Sequence, residues 1–363
     1  MAGKYLPAIL ILMKGHDNMT VEEIKKSLLN PEYDFLRTNS HLNDRVAIIA
    51  LGGSYAYGTN VDYSSTGGHV SDVDIRGMFL ERPDEIIGIH PNPEKFEDRA
   101  TDTVLYSFNK LFKLLIDLNP NTCEILGVRK DHILYCNDIG QMLFDNQDVF
   151  LSQRCVHSFT GYSNQQLARL ENAIARDRLT EERKMAHVKN SMQASMDDFT
   201  ARFSVSQFGE ANLHVGQLED GHFDILIDMD YKNMPVSQFN SMMNVLTNVH
   251  RAYNKLNHRN NKDEEHLDKH AMHLIRLFFM GIDILEKKKI ITYREAEHEL
   301  FMDIRNGKFR QPDGSYSDAF FDLRNEMEKR FLYAQKHTEL PVEPDWVKLN
   351  DFKVEVNRKI IME

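Results

Sequence analysis

The chain has 363 residues, 42% hydrophobic and 27% charged, with a formal net charge of −11. That length can bury a substantial core and is expected to fold as two closely packed domains, and no apolar run approaches the ~20 residues that cross a bilayer. The acidic balance argues against a surface that coats itself non-specifically with nucleic acid, although a local basic groove stays possible because binding responds to the local field.

Residues 5–13 are apolar but short and lack a small-residue cleavage site, so they read as a buried strand or helix start rather than a signal peptide. Thr20-Val-Glu-Glu23 has the capping-box pattern and predicts a short helix to about Leu29, stopped at Asn30-Pro31. Residues 45–51 (RVAIIAL) form a continuous apolar run ending in Gly52-Gly53, which predicts a buried strand feeding a tight turn. Residues 60–70 carry no apolar period and read as a loop. Residues 71–80 (SDVDIRGMFL) alternate as a half-buried strand does, and residues 102–108 (DTVLYSF) form another strand-like run leading into a helix that ends near Asn119-Pro120.

Cys123, Cys136 and Cys155 are odd in number and lack zinc-site spacing, so a reducing cytoplasm is the simplest expectation. From Gln153 onward long helical patterns dominate, at 153–175, 180–202, 236–256, 264–288 and 292–305. Residues 222–231 (HFDILIDMDY) interrupt them with a strand-like alternation, expected as a hairpin arm or inserted strand. The expected division is a mixed α/β domain at 1–150 and a mainly helical domain at 151–363.

The chemistry concentrates between Gly52 and Asp102. Residues two apart in a strand share a face, so Asp72, Asp74 and Arg76 project together while Val73 and Ile75 point to the core. Adjacent carboxylates repel unless a cation sits between them, and a hard divalent ion with oxygen ligands is the natural partner. Asp102, opening the next strand, is the best candidate for a third carboxylate, with Glu97 and Asp98 as fallback. Gly52-Gly53-Ser54 lets the backbone approach a phosphate, and Ser54 adds a hydroxyl donor. A lone Asp-x-Asp is usually a solvated strand face and a lone Gly-Gly usually a turn. The order strand, Gly-Gly-Ser, loop, Asp-Val-Asp and strand is far more specific.

GGSYAYGT and SDVDIRGMF resemble the Gly-Ser and Asp-x-Asp motifs of the DNA polymerase β nucleotidyltransferase superfamily. More narrowly, they are similar to predicted nucleotidyltransferases of bacteria and phages, some associated with RNA ligases. Further matching pieces are Asn119-Pro120-Asn121 with Glu124-Ile125-Leu126, Lys269-His270-Ala271-Met272-His273 with Arg276-Leu277, and Ile304-Arg305-Asn306-Gly307-Lys308. The resemblance implies an α+β fold: a small mixed-sheet catalytic domain followed by helices. It implies transfer of a nucleotide from an NTP to an acceptor hydroxyl, with RNA 3′ ends or tRNA the preferred acceptor. Gly53 and Ser54 would hold the triphosphate, and Asp72, Asp74 and Asp102 would hold Mg²⁺ (or Mn²⁺). The loop between Ser54 and Asp72 is longer than usual for the superfamily.

Lys269, His273 and Arg276 fall at i, i+4 and i+7 on one helical stripe. They are either a solvated basic face pairing with Glu264, Glu265 and Asp268, or a cationic stripe that contacts phosphate. With the resemblance, they join the nucleotide-binding set. Two other readings stand beside the enzyme: a non-catalytic NTP- or RNA-binding regulator, and a transferase acting on a protein or small molecule. No membrane partner is expected.

Overall fold

The computed structural model describes residues 19–61, 70–89, 93–178, 181–219, 223–257, 264–312 and 315–362. The apolar stretch at 5–13 and most of the long loop before Asp72 lie outside these residues. So do the side chains of Arg183, Lys184 and His187, which with the exposed Lys189 make a basic run that reads as a solvated helix face.

The chain forms two compact units, and neither is one continuous stretch. The first comprises residues up to 165 together with 272–304 and 321–363, and the second comprises 166–271 and 305–320. Helices far along the chain therefore return to the unit that carries the Gly-Ser and Asp-x-Asp motifs.

In the first unit the strands are β1 (Val46–Leu51), β2 (Ile75–Phe79), β3 (Lys95–Asp98), β4 (Thr103–Ser107) and β5 (Ile133–Cys136). They form a mixed sheet in the order β3-β4-β2-β1-β5, in which β2 and β4 are parallel and the other pairs antiparallel. The parallel pair sets Ile75 against Thr103 and Arg76 against Val104. The central strand β1 is buried along nearly its whole length, as its unbroken apolar run requires. One side of the sheet carries a core of Ile24, Leu28, Tyr33, Leu36 and Leu42 against Ile49, Leu51, Ile75 and Leu105. Thr20 closes the expected capping box over the helix Val21–Ser27, which supplies Ile24 to that core.

Asn119-Pro120 both ends one helix and starts another. Pro120 opens the helix Pro120–Gly127, where a missing N–H costs nothing, and the Asn119 side chain caps it by accepting from the Asn121 N–H. The expected helix at 292–305 is shorter, His298–Arg305. Thr292 instead donates its hydroxyl to the Gly127 carbonyl at 2.9 Å, and Arg294 pairs with the buried Asp283.

The second unit contains β6 (Val205–Ser206), β7 (Gly209–Gln217) and β8 (Phe223–Met229), joined in a three-stranded antiparallel sheet. The alternation at 222–231 is thus one arm of a hairpin. Ala211 and Leu213 on β7 pack with Met192, Met196 and Phe199 of the helix Glu181–Phe203 and with Met242, Val249 and Tyr253 of the helix Val236–Asn257. Among the described residues no helix is long and apolar enough to cross a membrane.

Candidate functional site

The site starts where β1 runs out. Gly52 is extended and Gly53 turns to a φ of 51°, starting the five-residue helix Gly53–Tyr57, which Gly58 ends in the left-handed region. A side chain on Gly52 would strike the Arg76 side chain, and one on Gly53 would overlap the Asp74 carboxylate. Both glycines are therefore required by what lies on them as well as by the turn itself. The Gly52 N–H donates to the Asp74 carbonyl at 2.8 Å, fixing the two segments to each other. Ser54 is buried in the first turn of the short helix, where N–H groups have no acceptor within the helix.

Residues 71–74 lie outside any helix or strand, and the strand expected at 71–80 is confined to β2, whose ladder starts at Ile75. The expected alternation holds. Asp72 is exposed and Asp74 half-buried, while Val73 packs against the core that holds Ile75. Asp72 lies close enough to Tyr55 to help burial raise that phenol above its ordinary range. Asp74 accepts a hydrogen bond from Arg76 at 2.7 Å. The same guanidinium donates to the Asp102 carbonyl at 2.7 Å and lies 3.8 Å from the Asp102 carboxylate.

Asp102 neighbours Asp74 across the parallel ladder, because Ile75 faces Thr103. It has a φ of 46° and a side chain that is 55% exposed. Of the fallback acids, Glu97 pairs with Lys95 at 2.5 Å, which holds its carboxyl below the usual range. Asp98 accepts from the Thr101 N–H and hydroxyl, tying down the turn before β4.

A further carboxylate is Glu124, in the stretch Glu124-Ile125-Leu126. It sits buried on the helix Pro120–Gly127. Burial raises its carboxyl above the ordinary range, and the charge on Asp74 adds to that. Arg276, Arg76 and a hydrogen bond from Tyr57 act in the opposite direction. The Arg276 guanidinium lies 3.4 Å from the centroid of the Tyr57 ring and contacts His273 Nδ1 at 2.7 Å. Tyr57 belongs to the Gly-Ser helix, so Arg276 and Glu124 hold the turn through it. Burial, more than any neighbour, pushes the Tyr57 phenol far up.

Lys269, His273 and Arg276 do share the helix Glu264–Lys287. Arg276 is buried and His273 half-buried in the first unit, whereas Lys269 is exposed on the portion belonging to the second. Tyr106 and Phe108 also differ. Phe108 is in the core, and Tyr106 stays half-exposed on the sheet face that carries Arg76.

Among the described residues no three acidic, histidine or cysteine side chains gather into a closed metal cage. The donor set of Asp72 and Asp74 nonetheless suits magnesium, which is held by one or two carboxylates together with substrate phosphates.

Residues 31–194 match the family model RlaP, described as RNA repair pathway DNA polymerase beta family. The matched stretch covers β1 to β5, the Gly-Ser turn, the aspartate pair and Glu124, and is similar to that family. A comparison with curated proteins found no match, nor did one with solved structures.

Proposed function

We propose that the chain transfers a nucleotide from an NTP to an RNA 3′ hydroxyl, a reading supported by the match of residues 31–194 to an RNA repair pathway DNA polymerase beta family. The carrying observation is that the Asp74 carboxylate lies directly on Gly53, so phosphate-binding turn and acidic pair form one corner. The acceptor oxygen bonds to the α-phosphorus while the bond from that phosphorus to the bridging oxygen breaks and pyrophosphate leaves. Gly53 and Ser54 seat the triphosphate. Asp72 and Asp74 hold Mg²⁺ or Mn²⁺, which supplies charge neutralisation to the phosphates when bound. The half-exposed Asp102 carboxylate, adjacent to Asp74, accepts the hydroxyl proton. Arg276 and Glu124 hold Tyr57 and with it the turn.

The test incubates the protein with each α-³²P-labelled NTP, Mg²⁺ and a mixed short-RNA and tRNA pool, beside an Asp72→Ala/Asp74→Ala control. Label on RNA that requires both aspartates supports the reading. Label on protein or on a small molecule instead would replace the acceptor class. Metal-dependent NTP binding without any turnover would make the chain a binding protein.

A further inference from the structure

One polar cluster at the start of the helix Pro120–Gly127, the helix that carries Glu124, has no part in that chemistry. The Asn119 side-chain oxygen is taken by the Asn121 N–H at 3.1 Å, as the cap of the helix Pro120–Gly127. The cap fixes which way the carboxamide points, and its amino group donates to the Tyr162 hydroxyl at 2.9 Å. The Asn121 amino group reaches the same oxygen at 3.4 Å. A phenol has one hydrogen to donate and lone pairs to accept with. With two amide donors on its oxygen, Tyr162 is left with donation as its remaining role. Asn121 is exposed, so its carboxamide oxygen is an acceptor beside that donor.

The ring of Tyr106 belongs to the same surface. It faces the side of the sheet that carries Arg76, since Arg76 and Val104 are in register and Tyr106 lies two residues on. Lys95 stands directly opposite Tyr106 on β3. Tyr106 is close enough to Arg76, Lys95, Tyr162 and Glu124 for their charges to act on its phenol, which burial raises. A half-exposed ring and a fixed donor next to an acceptor are together the complement of a nucleobase. The ring face takes the base plane, and the donor and acceptor read its edge.

We propose that Tyr162, Asn121 and Tyr106 form a nucleobase-binding subsite, serving either the incoming NTP or the 3′-terminal nucleotide of the acceptor. The ligand class rests on the transferase reading; the subsite itself stands on its own hydrogen bonds. A purely architectural role would make the same residues a tie between the helices Pro120–Gly127 and Arg154–Arg178.

Equilibrium binding separates these roles without requiring turnover. The wild-type chain, Tyr162→Phe and Asn121→Ala are titrated with the four NTPs, and separately with short oligoribonucleotides differing only in the 3′-terminal base. The expected result is a base preference in one of the two arms that falls about tenfold in Tyr162→Phe, the cost of one unmade hydrogen bond to a base edge. The arm in which it falls identifies the source of the base. Unchanged affinities in both arms with a lowered Tm would overturn the proposal in favour of the helix tie, and so would a wild type with no base preference in either arm. Absence of transfer in the labelling assay would sink the catalytic reading and leave this binding result standing.

Discussion

Two buried clusters in this molecule each combine a carboxylate, an arginine and a tyrosine, and they differ in how these groups meet. In the second unit Asp268 accepts from Arg310 Nε at 2.8 Å and from the Tyr316 hydroxyl at 2.6 Å, beside the Gly307 turn. Carboxylate, cation and phenol close directly on one another, and burial with the neighbouring Asp268 charge drives the Tyr316 phenol far up. In the first unit Arg276 spends its guanidinium on the Tyr57 ring and His273. Burial keeps the Glu124 carboxyl raised, against the charge of Arg276 and a hydrogen bond from Tyr57. A closed triad contributes rigidity. An open one, with a carboxylate held in an unfavourable medium next to Asp74, is the arrangement found where charge is to be used.

The sharpest way to break this contrast is to remove one carboxylate from each region. Asp74→Asn is expected to lower transfer on the order of 10³-fold, the scale for losing a central electrostatic group, with little change in Tm. Asp268→Ala should instead cost about 3–5 kcal/mol of stability, because Arg310 is left buried without its charge partner. The protein that remains folded should keep its activity. Urea unfolding and labelled-NTP transfer, measured on both variants, check the pair of outcomes. Loss of activity at full stability in Asp268→Ala would erase the distinction. Gly53→Ala should move both readouts. The left-handed φ costs about 1–3 kcal/mol for a residue with a Cβ, and the methyl would displace the Asp74 carboxylate from the turn.

The contrast also explains what the sequence could reveal. Gly53, Ser54, Asp72 and Asp74 were legible because their arrangement is local. A buried strand, a glycine turn and a second strand bring them together over about twenty residues of chain, and side-chain alternation orients them. Glu124 gives no such local signal, since its surroundings include Arg276, some 150 residues away, and it lies on a helix whose opening proline also reads as a stop. Arg76 was placed on the correct face, yet its link from Asp74 to the Asp102 backbone depends on the parallel β2–β4 register. The edge strands β3 and β5 escaped notice because each is only four residues long with exposed positions. The C-terminal helices Asp318–His337 and Trp346–Met362 were not read either, and with them went the signal that the first unit closes on itself from both ends of the chain.

The smallest expected effect tests the open cluster by pH. Glu124 titrates near 4.5 when unperturbed, and burial raises that value in the fold. Between the two values the folded chain holds a proton that the unfolded chain has lost, so stability falls as pH rises through this interval. The contribution is complete below the unfolded value and gone above the folded one. The groups acting on Glu124 include Arg276, Arg76, Tyr57 and Asp74. Glu124→Gln keeps the shape and removes the titration, so the stability difference between wild type and variant, followed by urea unfolding from pH 4 upward, isolates it. That difference should move against the wild type with rising pH and then level off. A difference constant with pH would mean that Arg276 compensates Glu124 fully, making the first cluster as closed as the second.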